Sequence, residues 1–229
     1  MRLLLSALVL IVLSSVIQTG YGYPKATDRA ERWQLRLDTN DLSYYRDKKT
    51  GEGYWVLVYE VTNETNKDRN WIPNFELTTD RGEIISDGEN VPRHVQMAIL
   101  DTFGDPLMVA QSQASGSLLQ GEAYAIRSFV VWKAGPEHIP GYDPLREIQV
   151  FASGVSGDTA EVQNPITGEK KKLRRVIQFS WFVNGNYDAI LLKPLPARPV
   201  DGGTSVRRLD TNEKSDIGGD TVKRKWIFR

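Results

Sequence analysis

Cysteine is absent from this sequence of 229 residues. Without thiols the chain can form no disulfide bond, no thiolate metal site and no cysteine nucleophile. The absence argues against the small, disulfide-dense modules that are common among secreted proteins. A chain of this length is instead stabilised by burial of its own core, in one large or two small domains.

Histidine is scarce, and net charge is absent. The 29 Lys and Arg residues balance the 29 Asp and Glu residues, so no global field steers the protein toward nucleic acid or an anionic membrane. His94 has no His or Glu at a chelating helical offset, and His138 lies in a loop with Pro and Gly, so we assign both solvated or structural roles. The G-x-S-x-G, H-E-x-x-H and P-loop patterns are also missing. We therefore predict no enzyme activity, no catalytic, cofactor-binding or metal-binding residue, no cofactor and no nucleic-acid partner.

One long apolar run stands at the N-terminus. It extends from Leu3 to Ile17, follows Met1-Arg2 and leads to small residues before Gly22. The pattern predicts a secretory signal peptide over residues 1–22. An uncleaved membrane anchor is the alternative, although about 15 apolar residues fall short of the ~18 expected of a spanning helix. Together with the absence of cysteine, the run indicates a bacterial protein exported to the periplasm, the cell surface or the extracellular medium.

The most strongly patterned stretch runs from Tyr54 to Asp80. Tyr54–Val61 is apolar at nearly every position and rich in β-branched and aromatic residues, which predicts a strand buried on both faces. Asn74–Thr79 alternates polar with apolar residues, which predicts a strand with one solvated face. Glu64–Asn70 is the most charged connection between core strands, and we expect any recognition surface near this end to include it.

Further strands surround these two. Similar patterns predict them at Arg32–Asp38, Glu83–Ser86, the end of Leu107–Leu119, Ala123–Lys133, Arg146–Ala152, Thr159–Gln163 and Lys171–Phe182. The connection Asn164–Gly168 predicts that the last two pair as a hairpin, and the turn Asp80–Gly82 allows Glu83–Ser86 to pair back on the strand before it. We expect Ala123–Lys133 and Leu173–Phe182 to form the wall opposite Tyr54–Asp80. Pro92–Phe103 has apolar residues at helical spacing between a capping Asn90 and Gly104, which predicts one helix across an open end or edge.

Short strands separated by turns, with a single short helix, predict an all-β fold, an immunoglobulin-like antiparallel β-sandwich, at residues 23–193. From Pro194 the composition changes to proline, glycine and mixed charge, which predicts a flexible C-terminal tail over residues 194–229. The tail ends in the apolar group Trp226-Ile227-Phe228, which can dock on the domain.

Three patterns carry a resemblance to known proteins. Tyr59-Glu60-Val61-Thr62-Asn63 precedes a polar loop, Pro73-Asn74-Phe75-Glu76-Leu77 follows it, and Gly121-Glu122 comes before a later strand. Over Arg32–Asn184 the sequence resembles uncharacterised exported bacterial proteins with an immunoglobulin-like sandwich, without the Cys…Trp…Cys spacing of true immunoglobulin domains. The resemblance implies a fold and a compartment, and no activity.

Candidate sites for chemistry are few. A hydrolase could pair two of the carboxylates, but their spacing selects no two among Asp101, Asp105, Glu137 and Asp143. Asp38–Asp41 and Asp210–Glu213 begin like calcium loops, yet both lack the ligand and the glycine required further on. Glu169–Arg175 (EKKKLRR) could bind an anionic glycan or lipid head group, although we favour a solvated strand edge protected by lysines. Asn63-Glu64-Thr65 is an N-glycosylation sequon, informative only in a eukaryotic host.

Three functional hypotheses remain. The first is a non-catalytic exported β-sandwich, an interaction or structural module with an unknown protein or glycan partner, and with a membrane only if the N-terminal segment stays uncleaved. The second is a carbohydrate-binding module, because six Trp and nine Tyr residues could stack on sugar rings. The third is a carboxylate-dependent hydrolase, which needs two carboxylates in one cleft. The second fails if its tryptophans are all buried, namely Trp33, Trp55, Trp71, Trp132 and Trp181.

Overall fold

The regular structure consists mainly of strands. The computed structural model describes residues 23–136, 143–183, 187–194 and 223–229, and it confirms the predicted all-β class. The first sheet contains five strands, Arg36–Thr39 (β1), Ser43–Arg46 (β2), Gly53–Thr62 (β3), Val109–Ala110 (β7) and Ile126–Lys133 (β9). Their order is β1-β3-β9-β7, and β2 also pairs with β3. All pairs are antiparallel except β7 with β9.

The second sheet contains six strands. They are Asn74–Thr79 (β5), Ile84–Ser86 (β6), Glu147–Ser153 (β10), Thr159–Gln163 (β11), Lys170–Phe182 (β12) and Lys223–Phe228 (β13). Their order is β11-β12-β10-β5-β6, with β13 also paired to β12, and every pair is antiparallel. The predicted pairing of β11 with β12 and of β6 with β5 is therefore confirmed. A separate ribbon joins Arg69–Trp71 (β4) to Gly116–Leu118 (β8).

One hydrophobic core is shared by both sheets. Alternate residues of each strand face it, because side chains in a strand alternate between the two faces. The first sheet contributes Leu37, Trp55, Leu57, Tyr59, Val61, Val130 and Trp132. The second contributes Phe75, Leu77, Ile148, Val150, Ala152, Ile177, Phe179 and Trp181.

The pairing of the core strands differs from the prediction. β3 and β9 pair side by side in the first sheet, from Tyr54 opposite Lys133 to Val61 opposite Ile126. β5 belongs to the second sheet with β10 and β12. The wall that we expected opposite Tyr54–Asp80 is therefore divided between the two sheets. Alternation shows which residues face a core but says nothing about which strands pair, and the prediction was wrong for that reason.

The predicted helix is confirmed as Arg93–Phe103 (α1), which ends at Gly104 with φ 63°. Its position differs from the prediction, because α1 covers the outer face of the first sheet and not an open end or edge. The buried helix residues pack on the outward residues of β3 and β9 in a second core, which contains Val95, Ile99, Phe103, Tyr54, Val56, Val58, Phe129 and Val131. This cover explains why β3 is buried on both faces, as predicted. Pro92, not Asn90, occupies the N-cap position.

Three short helical segments were not predicted. They are the four-residue helix Gln111–Ala114 (α2) and the 3-10 turns Glu122–Tyr124 and Tyr187–Ile190. No described helix is long and apolar enough to cross a membrane.

The C-terminal strand β13 pairs with β12, and Tyr23, the first described residue, is bonded to β13. Trp226 packs beside the shared core, and the Arg175 guanidinium lies 3.8 Å from its ring centroid. Tyr23 Oη donates a 2.6 Å hydrogen bond to the carbonyl oxygen of Phe228. We predicted a flexible tail, but its last apolar group, Trp226-Ile227-Phe228, docks as part of β13. Residues 195–222 and the predicted signal peptide lie outside the described residues.

Candidate functional site

The loop Glu64–Asn70 is largely exposed but fixed in conformation. Its anchor is Asn63, the last residue before the loop, which is fully buried. Asn63 Nδ2 donates to the carbonyl oxygens of Lys67 (3.0 Å) and Leu118 (2.9 Å). Its Oδ1 accepts from the backbone N–H and the hydroxyl of Thr65, at 3.0 and 2.8 Å. The sequon at Asn63 is consequently closed in the folded protein, because its amide nitrogen points inward.

Arg36 links this loop to two neighbouring segments. Its Nε lies 3.0 Å from the Asp38 carboxylate and its Nη1 lies 3.2 Å from Glu122, and it also contacts Glu64. Burial lowers the pKa of Arg36, but Glu64, Glu122 and Asp38 together raise it above the ordinary value. Three carboxylates around one guanidinium give this corner of the surface a negative charge.

The loop has a second exposed segment beside it. β4 and β8 pair, and Gly121 N donates to the Asn63 carbonyl at 2.9 Å, so Glu64–Asn70 lies next to Leu119–Tyr124. We call these two segments the end surface. Exposed apolar groups accompany the charges here, since Tyr124 is 55% exposed and Leu119 is 40% exposed.

The tryptophans bear directly on the carbohydrate hypothesis. Trp55, Trp71, Trp132 and Trp181 are buried in the shared core and present no ring face to a sugar. Trp33 is partly exposed, but the Arg69 guanidinium lies 4.7 Å from its ring centroid. Four of the five named tryptophans are thus unavailable, and the fifth already stacks with a cation.

His94 makes a contact that fixes local structure. Its Nε2 lies 3.3 Å from Asp47 Oδ2, which also accepts from the Thr50 backbone N–H and hydroxyl at 3.1 and 2.9 Å. Burial raises the pKa of Asp47, but the bonds from Thr50 and His94 bring it below the ordinary value. The contact ties the β2–β3 turn to the start of α1. Groups of three or more metal-binding side chains do not occur among the described residues, and His138 lies outside them.

The candidate carboxylates have separate environments. Asp105 accepts a 2.7 Å hydrogen bond from the buried Arg127, whereas Asp101 is exposed on α1. The Asp143 carboxylate lies 3.5 Å from the guanidinium of Arg146, three residues further along the chain. Asp38 of the first calcium-like loop contacts Arg36 instead of presenting a free ligand. Glu137 and the second such loop, Asp210–Glu213, lie outside the described residues.

Two polar networks escaped sequence reasoning. Tyr54 Oη donates 2.9 Å to Glu52, which accepts a second bond of 2.6 Å from Lys133. Burial and then Glu52 raise the pKa of Tyr54 to about 12. A phenol with a raised pKa stays protonated at neutral pH, the opposite of what a general base requires.

The second network joins the core to α2. Tyr59 Oη donates 2.7 Å to Gln111 Oε1, and Gln111 Nε2 donates 3.0 Å to Asp87. Burial raises the pKa of Tyr59 to about 12. Burial also raises the pKa of Asp87, although the hydrogen bond from Gln111 acts to lower it. The only sequence signal was a tyrosine within a buried run, because a buried phenol needs a hydrogen-bond partner.

The basic run Glu169–Arg175 divides into two parts. Lys170–Lys172 are exposed and pair with β11 on one side. They precede the residues of β12 that pair with β13, so their other side is a strand edge, as we favoured. Arg175 is buried, donates 2.8 Å to Gln34 Oε1 and lies 3.9 Å from Asp158. That residue is structural and is not available to a polyanion.

Comparison with known proteins gives no match: no family model, no curated protein and no solved structure resembles the chain. The resemblance to exported bacterial proteins therefore stays a prediction.

Proposed function

We propose that the chain is an exported, non-catalytic interaction module with an immunoglobulin-like β-sandwich fold, and that its partner binds at the end surface. One observation carries the proposal: Glu64–Asn70 is exposed yet held by Asn63 through four hydrogen bonds. A loop that is already ordered loses little conformational entropy when a partner binds. Preorganisation of this kind is expected of a recognition loop.

The chemistry of the end surface supports binding to another protein. The end surface carries charged side chains at Glu64, Lys67 and Asp68 together with exposed apolar groups at Leu119 and Tyr124. Tyrosine is enriched at the centres of protein interfaces, and the charged rim sets partner choice and association rate. The shared core of the two sheets supports the sandwich part of the proposal.

Site-specific photo-crosslinking in the producing cells tests this function. A crosslinker replaces the exposed Tyr124, and a matched control places it at the exposed Lys49, on the turn between β2 and β3. We expect a discrete adduct from position 124 that excess unlabelled protein competes away, and none from position 49.

A loop variant sharpens the test. Replacing Asn66–Asp68 by Gly-Ser-Gly keeps Thr65 and Arg69, which anchor the loop. We expect this variant to melt near the wild-type temperature and to lose the adduct at position 124. Equal adducts from both positions, or an unchanged adduct in the loop variant, would refute the proposed surface.

A further inference from the structure

The outer face of the second sheet carries cations from two distant parts of the chain. In an antiparallel pair, directly opposite residues point to the same face, and alternate residues of one strand share a face. Ile177 and Trp226 are opposite each other and face the shared core. Their neighbours Gln178 and Lys225, also opposite each other, therefore face outward.

Six exposed cations share this outer face, and we call them the cation row. They are Lys170, Lys172 and Arg174 of β12, and Lys223, Lys225 and Arg229 of the C-terminal segment. Lys223 lies opposite Ser180, Lys225 lies opposite Gln178, and Arg229 exchanges two backbone hydrogen bonds with Arg174. From the level of Ser180 to Lys170 the row spans about 34 Å, with cations about 7 Å apart and one gap at Ile227.

Most of the row lacks acidic partners. Lys170 pairs with Glu161 at 2.8 Å, and Arg229 pairs with Glu76. Lys172, Arg174, Lys223 and Lys225 form no ion pair within the ranges that the structure describes. Glu161 on β11 lies directly opposite Lys172, and Glu147 on β10 lies opposite Phe182, but the six cations outnumber these carboxylates and Glu76. A chain whose total charge is zero therefore presents a local excess of positive charge along one line.

The row is held rigidly. Arg175 stacks on Trp226 at 3.8 Å, and the Arg229 guanidinium lies 4.1 Å from the Phe151 ring centroid. The Tyr23 hydroxyl binds the Phe228 carbonyl. The backbone that carries the cations is thus fixed before any ligand arrives, which reduces the entropy lost on binding.

We propose that the cation row binds a linear acidic polysaccharide, a site separate from the end surface. The row is long and narrow, which matches an extended polymer with regularly spaced carboxylates. Between the two halves of the row, Gln178 and Ser180 are buried and bonded within the face, with Gln178 Nε2 donating 3.0 Å to Gln149 Oε1. The contacts with the polymer are therefore made by the exposed cations.

Two other polyanions fit the surface less well. A membrane surface usually takes several apolar side chains into the lipid beside the cations, whereas Ile227 in the row is only partly exposed and the Phe151 ring is covered by Arg229. Single-stranded nucleic acid uses stacked aromatic platforms. At the end of the row stands one exposed ring, Phe182, and the Lys223 ammonium already lies 5.4 Å from its centroid. A single ring with a cation beside it does not form such a platform.

Direct binding to polygalacturonate and heparin tests this site in the full exported chain. The row variant K172Q/K223Q/K225Q is compared with the control variant K48Q/K49Q/K193Q, which removes the same charge from exposed lysines elsewhere. We expect wild type and control to bind equally and the row variant to bind about 100-fold more weakly. The slope of log Kd against log salt should fall by about two in the row variant.

Lysine acetylation with mass spectrometry gives a second readout that needs no mutation. Polygalacturonate should protect Lys172, Lys223 and Lys225 but not Lys48 or Lys49, and fragments much shorter than the row should protect poorly. Absence of binding by the wild type, equal loss in both variants, or protection of all lysines alike would overturn the proposal. Tighter binding to phosphatidylserine vesicles or to a 20-nucleotide oligothymidine than to polygalacturonate would also overturn it.

Discussion

Asn63 is the residue on which the conformation of the loop Glu64–Asn70 depends, and Asn63→Ala tests that dependence. The substitution removes two donated and two accepted hydrogen bonds. It leaves the Leu118 carbonyl buried without this donor, whereas Lys67 O still accepts from the Thr65 hydroxyl at 2.9 Å. A buried orphan costs about 1–3 kcal/mol and each lost bond about 0.5–1.5 kcal/mol, so we expect a loss of about 3 kcal/mol in the free energy of unfolding.

Urea denaturation at neutral pH measures this loss, with Asn66→Ala at an exposed loop position as the matched control. The control should change the free energy of unfolding by less than about 0.5 kcal/mol. Amide hydrogen exchange gives a local readout, because the Thr65 N–H loses its acceptor in Asn63→Ala and should exchange faster. The remainder of β3 should keep its protection.

Asn63→Asp separates the donor role from the acceptor role. The carboxylate can still accept from Thr65, but it faces the carbonyls of Lys67 and Leu118 with no proton to donate. We expect it to be at least as destabilising as Asn63→Ala at pH 7 and to recover in acid, where a protonated carboxyl donates again. A cost below about 1 kcal/mol for Asn63→Ala, or an equal cost for Asn66→Ala, would show that the loop is not held in this way.

Two further predictions concern the C-terminal strand and two carboxylates, the buried Asp47 and the half-buried Asp87. Trp226→Ala should lower the free energy of unfolding, measured by urea denaturation, by about 2–3 kcal/mol, because it removes core contact and the stacking of Arg175. The control Ile166→Ala, at a side chain that is 92% exposed, should lower it by less than about 0.5 kcal/mol. Equal losses in the two variants would contradict a docked strand. The pKa of Asp47 is lowered in the folded state, so its contribution is present above the unfolded pKa and lost as the pH falls, and D47N should flatten the loss of stability in acid. The pKa of Asp87 is raised, so stability falls as the pH rises between its unfolded and folded values, and D87N should remove that fall. Stability curves from pH 3 to pH 7 that change in the same direction for both variants would contradict these assignments.

Individual strands could be predicted from the sequence because their signals are local. The apolar run Tyr54–Val61 became β3, and the alternation in Asn74–Thr79 became β5 with the same bounds. The hairpin of β11 and β12 could be predicted too, since a short Pro- and Gly-containing connection brings its arms together. The helix over Arg93–Phe103 followed from its 3.6-residue spacing.

Pairing between distant strands could not be predicted, because period-2 patterns carry no information on partners. β3 pairs with β9, whose first residue is 64 positions further along the chain than the last residue of β3 (126 minus 62). The position of α1 was missed for a related reason. Outward residues of β3 and β9 were apolar, and the prediction treated them as buried without asking which element covers them.

Net charge illustrates the same limit for the proposed polysaccharide site. Balanced totals led to the expectation that no global field steers the protein toward nucleic acid or an anionic membrane, and for Glu169–Arg175 a protected edge was favoured over a polyanion site. Only the pairing of β12 with β13 places Lys172 and Arg174 in line with Lys223 and Lys225. Cations about 7 Å apart lie within one Debye length, about 10 Å at 0.1 M salt, so their fields reinforce one another. The attraction felt by a polymer along this face depends on the charges within about one Debye length, and the net charge of the whole chain has little effect on it.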